Sequence, residues 1–130
     1  MVVSTKSIYE EKSASDGIRV LVSRFYPRGV KRSHFDLWIR DASPEPVLLK
    51  KYKKGSLNWN EFSKHFKEQL KSSAKSRDAI DKLVELGRSN RITLLCYERQ
   101  GEHCHREIVK AVVNLRTKRK RLRPESSDKI

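Results

Sequence analysis

Residues 92 to 97 (ITLLCY) form the segment that most restricts how this chain can fold. They are apolar or β-branched almost without interruption, whereas a strand with one solvated face would alternate apolar and polar residues. A continuous run of this kind is typical of a parallel strand that is covered on both faces. Parallel strands are joined by long crossovers, usually helices. The segment therefore predicts an α/β domain with a short, mainly parallel sheet flanked by helices, in Rossmann-like layers.

Two further strands are predicted at 5–9 and at 18–24 (IRVLVSR), where β-branched residues are frequent. Three strands are few for such a sheet, so a fourth is expected within 47–52. Capping residues and apolar spacing predict helices at Ser33–Arg40, from Ser43, from Asn58 through Trp59, Phe62, Phe66 and Leu70, from Ser76 to Gly87, and from Cys104 to about Leu115. Residues 1–117 are predicted to form one domain, followed by a basic, flexible tail at 118–130.

The composition limits the classes of partner. The chain has 130 residues, which fits one domain, and no apolar window is long enough for a membrane helix. The N-terminal residues lack a secretion signal, so we expect a soluble, cytoplasmic protein without membrane contact. The net charge is +14, and residues 116–130 account for only +5 of it. This surplus favours nucleic acid or a phosphorylated small molecule as partner, although a charge-rich thermophilic surface is an alternative.

Polar residues of unusual chemistry follow two of the predicted strands. One segment is RFYPRG at 24–29, and the other runs from Cys96 through Glu98 to Cys104, His105 and Arg106. In open α/β sheets, ligands bind at the carboxyl ends of the strands. If the two strands are parallel neighbours, both segments lie at the same edge of the sheet and can contribute to one site.

The same segments carry a resemblance to a known family. The matching pieces are Gly17 with RVLV at 19–22, Arg24, YPRG at 26–29, the segment around Trp38, LLC at 94–96, Glu98, and CHR at 104–106. Together they resemble the domain-of-unknown-function family 488, which includes the YeaO-like uncharacterised proteins. The resemblance implies an α/β fold and no settled activity. Tyr26 stands where many members carry Trp, and the tail beyond Leu115 is particular to this chain.

The arginines predict an anion site. Guanidinium groups bind phosphate and carboxylate in a bidentate manner, and the start of the last helix offers free N–H groups. The site would hold phosphate, a nucleotide or a nucleic-acid backbone at Arg24, Tyr26, Arg28, Gly29 and Arg106. The structural alternative is that Arg24 and Arg28 form salt bridges with Glu98 and Asp36.

The cysteines allow thiol-dependent or acid–base catalysis by Cys104, His105 and Glu98. A thiol at a helix start beside a histidine and an arginine favours the thiolate, and Cys96 is close enough in sequence to form a disulfide with it. Glu98 is a weaker candidate for a base, because a carboxylate among arginines stays ionised. Alternatively, both cysteines are small buried hydrophobic residues.

A zinc site would use Cys96, His103, Cys104 and His105, which are suitable ligand types. Three consecutive residues at a helix start do not readily converge on one ion, however, so no metal and no cofactor is predicted. The basic run in the tail can contact phosphates without sequence specificity. Its residues are Lys118, Arg119, Lys120, Arg121 and Arg123. The oligomeric state, the ligand and the existence of a reaction are left open by the sequence.

Overall fold

A four-stranded parallel sheet forms the centre of the molecule, with strand order β1-β4-β2-β3. The structure, a computed structural model, describes residues 3–97 and 103–122, with side chains as far as residue 117. The strands are β1 (Val3–Ser7), β2 (Ile18–Leu21), β3 (Leu37–Trp38) and β4 (Ile92–Cys96). The helices are α1 (Pro46–Lys53), α2 (Trp59–Ser72), α3 (Ala74–Ser89) and α4 (His105–Leu122). The predicted α/β fold of a single small domain is confirmed.

Strand β4 lies between β1 and β2, and all five of its residues are buried. Ile92 is in register with Val3 of β1 and with Ile18 of β2. Because side chains alternate along a strand, Ile92, Leu94 and Cys96 share one face, and Thr93 and Leu95 share the other. This explains the absence of polar alternation in the sequence.

The two faces of the sheet are covered differently. On the face of Leu94, the large core is built with buried side chains of α2, α3 and α4, among them Phe66, Leu83 and Val109. On the opposite face, Leu95 belongs to a smaller cluster with Ile8, Leu21 and Phe35. The helices therefore cover one face, and the segments after β1 and β2 cover the other. None of the helices in the described ranges is long and apolar enough to cross a lipid bilayer.

The fourth strand is not where the sequence placed it. Residues 47–52, expected to hold a hidden strand, lie in α1, which begins with Pro46 at its first position. The strand is Leu37–Trp38, inside the segment that the Ser33 pattern predicted as a helix. The backbone N–H of Asp36 donates to the carbonyl of Arg19 at 2.8 Å, and the Asp36 carboxylate accepts from the Arg19 N–H at 2.8 Å. Pairing with β2 thus replaces the local helical bonds.

Several helix boundaries also differ from the prediction. The capping box of Asn58 and Glu61 at the start of α2 is confirmed. Helix α3 is capped by Ser73 instead of Ser76, and Gly87 lies within it instead of after its end. Helix α4 continues to Leu122, seven residues beyond the predicted end, because basic residues with good helix propensity extend it. The proposed domain boundary at 117 remains a prediction.

A buried ionic network fastens the start of β2 to its neighbours. Asp16 is 4% exposed and Arg19 is 1% exposed, and their side chains form an ion pair. Lys6 of β1 adds a second cation, 2.9 Å from the Asp16 carboxylate. Burial raises the pKa of Asp16. Hydrogen bonds from Lys6, the Ser13 N–H and Arg19 together lower it by more than burial raises it, so the pKa lies below its usual value. The hydroxyl of Thr93 on β4 donates to the Asp16 carbonyl at 2.7 Å, so Asp16 joins three strands.

Gly17 is required at the turn before β2. Its φ of +67° is unfavourable for other residues, and a Cβ atom there would lie 2.0 Å from the carbonyl oxygen of Arg91. That carbonyl accepts the N–H of Ile18 at 2.9 Å. The glycine therefore allows β2 to begin directly against the residue that precedes β4.

Candidate thiol site at the carboxyl edge of the sheet

The two cysteines meet at the carboxyl edge of the sheet. Cys96 is the last residue of β4, and Cys104 immediately precedes α4. Their sulfur atoms are 2.11 Å apart, at bonding distance, and both residues are buried. The Cα atoms are 7.7 Å apart, beyond the roughly 4.4–6.8 Å that is usual for disulfides. In this structure the two cysteines form a disulfide, which joins the end of β4 to the residue before α4.

His105 lies beside Cys104 in a fixed orientation. Its Nε2 is hydrogen-bonded to the carbonyl oxygen of Val22, just past the end of β2. A carbonyl only accepts, so Nε2 carries the proton, and the lone pair of Nδ1 is left 3.8 Å from the Cys104 sulfur. Burial, with the nearby charges of Arg106 and Arg24, lowers the pKa of His105 to about 4, although the Val22 bond acts in the opposite direction. The imidazole is therefore neutral near pH 7.

Arg106 is a fully buried cation beside the sulfur pair. Its relative exposure is 0%, and Nη1 lies 3.0 Å from the sulfur of Cys96. Glu107 lies 3.8 Å from its Nε and accepts a hydrogen bond from Thr5 of β1 at 2.7 Å. A buried guanidinium at this distance stabilises a thiolate more than a thiol. The sequence predicted Arg106 as an anion ligand; in the described residues its guanidinium lies beside the Cys96 sulfur and near the Glu107 carboxylate.

Arg24 approaches the same site but is held by structural partners. Its guanidinium donates to the Asp41 carboxylate at 3.1 Å, to the Ser43 carbonyl at 2.9 Å and to the Pro44 carbonyl at 3.3 Å. The alternative of a structural salt bridge thus holds for Arg24 with Asp41 as partner. Of the two acids expected in that role, Asp36 is bound to the Arg19 backbone instead, and Glu98 lies outside the described residues. The charge of Arg24 still acts on His105.

The other predicted anion ligands lie on the loop after β2. Tyr26 packs edge-on against Phe35 and Trp38, and its hydroxyl donates to the Val30 carbonyl at 2.5 Å. Arg28 is exposed, and Gly29 has φ +77° with no atom within 4 Å of a built Cβ. The arginines thus divide into Arg24 and Arg106 near the cysteines, and Arg28 on the exposed loop.

Some of the predicted site residues lie outside the described part of the chain. Glu98, the candidate base, falls between residues 97 and 103, and Arg123 follows the end of α4. The remaining basic residues of the predicted tail lie in the last turns of α4, where only the backbone is described: Lys118, Arg119, Lys120 and Arg121.

Three of the four proposed zinc ligands come together. Cys96, Cys104 and His105 offer ligand atoms that all lie within 4.8 Å of one another, and all three residues are buried. His103 is exposed and stacks on Trp59 at 4.6 Å between ring centroids. As expected for consecutive residues, His103 does not point to the same place as Cys104 and His105. The third potential ligand comes instead from Cys96, at the end of β4.

Sequence reasoning missed the residues that position this site. The Val22 carbonyl orients His105, Asp41 holds Arg24, and Phe66 of α2 contacts the His105 ring edge-on at 5.8 Å. Backbone carbonyls carry no signal in the sequence, and Phe66 was identified only as a core residue, which it also is. The sequence gave no sign that the residues shortly before α1 contact Arg24.

Comparison with known proteins identifies relatives of unknown activity. The family model DUF488-N3a, described as the active DUF488-N3 subclade, matches residues 3–117. The uncharacterized protein Rv3073c of Mycobacterium tuberculosis is 27% identical over 114 residues, which cover 86% of this chain and 93% of that protein. The uncharacterized protein YeaO of Escherichia coli is 27% identical over 97 residues, covering 73% of this chain and 82% of that protein. No solved structure matches the chain.

The match to the family model extends over both halves of the site. It includes the segment after β2 with Arg24, and the segment from Cys96 to Arg106. The predicted resemblance is confirmed over nearly the whole of the described chain. The chain belongs to the DUF488 family.

Proposed function

We propose that Cys96 and Cys104 form a redox-active dithiol that exchanges with disulfides. The observation that supports this most is the fully buried guanidinium of Arg106, whose Nη1 lies 3.0 Å from the sulfur of Cys96. Two thiols in contact can form and break a bond without large movement of the chain. The cation adjoins Cys96 and therefore favours the thiolate of Cys96; a thiolate is the reactive form in exchange.

Cys104 is the better nucleophile of the pair for an incoming substrate. It immediately precedes α4, whose N-terminus contributes a positive dipole end, whereas Cys96, which is equally buried, ends the central strand. The lone pair of His105 Nδ1 can accept a hydrogen bond from the Cys104 thiol. With a pKa of about 4, His105 does not retain that proton at neutral pH, so it acts as a positioning residue.

The exchange conserves electrons without a cofactor. The Cys104 thiolate attacks one sulfur of a substrate disulfide, and the substrate S–S bond breaks and releases a thiolate, which takes a proton from water. The Cys96 thiolate then attacks the Cys104 sulfur and releases the second substrate thiol. The substrate disulfide gains two electrons, and the protein dithiol becomes a disulfide. Because both sulfurs are buried, exchange requires an opening of the structure around them.

Trapping of the mixed disulfide tests these roles. The reduced Cys96→Ser variant is incubated with oxidised glutathione, and its mass is measured after acid quenching. We expect one glutathione to stay attached at Cys104, because the resolving thiol is absent. Wild-type protein should instead end as the internal disulfide without attached glutathione. The matched Cys104→Ser variant should react at least ~10-fold more slowly, since Cys96 lacks the helix-end position. Equal labelling of both variants would refute the assigned roles.

A soft metal ion bound by Cys96, Cys104 and His105 is a second candidate, supported by the convergence of their ligand atoms. Nε2 of His105 is bound to Val22, which leaves Nδ1 to coordinate, as is common for metal-binding histidines. The charge of Arg106 opposes a cation at this position, so we rank thiol exchange first. Zinc release on addition of a thiol-blocking reagent, measured with a chromogenic chelator, would favour the metal.

A further inference from the structure

The loop after β2 carries a surface that thiol exchange does not use. Of the five large hydrophobic side chains that are exposed in the described part of the chain, three are aromatic and lie on or against this loop: Tyr9 (57%), Phe25 (58%) and Tyr26 (37%). The other two, Val47 and Leu115, are aliphatic residues on α1 and α4. Exposed aromatic side chains gathered in one place indicate a binding surface more strongly than scattered ones.

Hydrogen bonds to the loop backbone hold the tyrosines of this surface in place. Tyr9 donates its hydroxyl to the Arg28 carbonyl at 3.1 Å, and Tyr26 donates to the Val30 carbonyl at 2.5 Å. Tyr97, from the end of β4, donates to the Phe25 carbonyl at 2.6 Å. Each phenol is thus satisfied within the protein, and the exposed rings of Tyr9 and Tyr26 are fixed in advance. Rigid rings lose little conformational entropy when a ligand stacks on them.

Positive charge accompanies the aromatic rings. From Arg24 to Phe35 the chain contains four arginines and lysines and no acidic residue. Arg28, Lys31 and Arg32 are exposed, and the guanidinium of Arg32 lies 5.7 Å from the centre of the Tyr26 ring. We define Tyr9, Phe25, Tyr26, Arg28, Lys31 and Arg32 as the aromatic–basic surface. Its charge is complementary to a polyanion, in agreement with the net charge of +14.

A shallow cavity adjoins the ring of Tyr9. It has a volume of about 290 Å³ and is lined by Ile8, Tyr9, Gly29, Val30, Lys31, Ser33 and His34. A Cβ built on Gly29 would meet no atom within 4 Å, so the backbone there is open to close approach. The surface therefore combines stacking rings, cations and an accessible backbone within one loop.

We propose that the aromatic–basic surface binds single-stranded nucleic acid. Proteins that hold single strands combine aromatic rings, on which unstacked bases lie, with cations that follow the phosphates. A duplex offers its phosphates but not its base faces, so it cannot use Tyr9, Phe25 and Tyr26 in this way. The rings therefore distinguish a single strand from a duplex. Three residues expected from the sequence to bind an anion, Tyr26, Arg28 and Gly29, belong to this loop.

Binding of a fluorescently labelled 20-nucleotide oligothymidine, followed by anisotropy at several salt concentrations, tests the proposal on the full chain. We expect tighter binding of the single strand than of a duplex of the same length. Phe25→Leu keeps an apolar side chain but removes the ring, and should weaken single-strand binding about 5- to 100-fold while leaving duplex binding unchanged. Val47→Ala, on the exposed part of α1, is the matched control and should have no effect.

Charge variants separate this surface from general attraction to a basic protein. The triple variant Arg28→Gln, Lys31→Gln, Arg32→Gln should lower the slope of log affinity against log salt by about 2. Lys50→Gln, Lys53→Gln, Lys54→Gln removes the same charge from exposed positions of α1 and the residue after it, and should change that slope by less than about 0.5. Equal loss in both triple variants, equal affinity for duplex, or no binding at about 50 mM salt would overturn the proposal. Cys104→Ser should bind as wild type does, which distinguishes this surface from the thiol site.

Discussion

Replacement of Asp16 by asparagine is expected to lower the free energy of unfolding by about 3–5 kcal/mol. Asparagine has nearly the same shape but removes the negative charge between Lys6 and Arg19. Arg19 is 1% exposed, so its guanidinium would remain buried without a neutralising partner. Unfolding in urea, followed by circular dichroism at pH 7, measures the change.

Two comparison variants show whether burial is the cause. Glu85→Gln removes a carboxylate from an exposed pair with Arg88, at the same spacing of three residues as Asp16 and Arg19, and should cost less than about 0.5 kcal/mol. Arg19→Met combined with Asp16→Asn should recover part of the stability, because the fully buried cation is removed and the remaining cation, Lys6, is partly exposed. A loss below about 1 kcal/mol for Asp16→Asn alone would show that the network contributes little.

The second large effect is a dependence of stability on pH that originates from His105. Its pKa is about 4 in the folded protein and about 6.5 in an unfolded chain. Between these values the unfolded state binds more protons, so stability decreases as the pH falls below about 6.5. The loss should reach about 3 kcal/mol at pH 4, and no further contribution is expected above pH 7.

A variant without an imidazole isolates this contribution. His105→Gln places an amide N–H where Nε2 now donates to Val22, and its side chain does not titrate. The difference in unfolding free energy between wild type and His105→Gln, measured from pH 4 to pH 8, should shift by about 3 kcal/mol in favour of the variant at acid pH. A constant difference across this range would contradict the burial of a neutral His105.

The fold was predictable where one pattern dominated. The unbroken apolar run at Ile92–Cys96 indicated a parallel strand buried on both faces, and it lies in the centre of the sheet. The capping box at Asn58 and the apolar spacing of Phe62 and Phe66 gave the start and inner face of α2. Strand Leu37–Trp38 was missed because two residues are too few to show the alternation of apolar and polar side chains. Its pairing depends on β2, about 17 residues away in the sequence.

The sequence indicated which residues form the site better than it indicated what each of them does. The sequence singled out the segment within which Cys96, Cys104, His105 and Arg106 lie together. The sequence did not reveal that Arg24 is bound by Asp41 and two carbonyls, or that Arg28 is on a separate exposed loop. Side-chain direction and hydrogen bonds to the backbone decide such roles, and neither is encoded in residue spacing.

The redox state of the cysteines in glutathione buffers of defined potential tests the proposed dithiol most directly. Native protein is equilibrated, quenched in acid, alkylated after denaturation and weighed by mass spectrometry. If Cys96 and Cys104 are a redox-active pair, the protein should change reversibly from the form with two alkylated thiols to the form with none as the buffer becomes more oxidising. Little protein with a single alkylated thiol should be present. A pair that stays bonded when reduced glutathione is in large excess would instead be a structural disulfide. A pair that stays reduced in oxidised glutathione would equally contradict thiol exchange at this site.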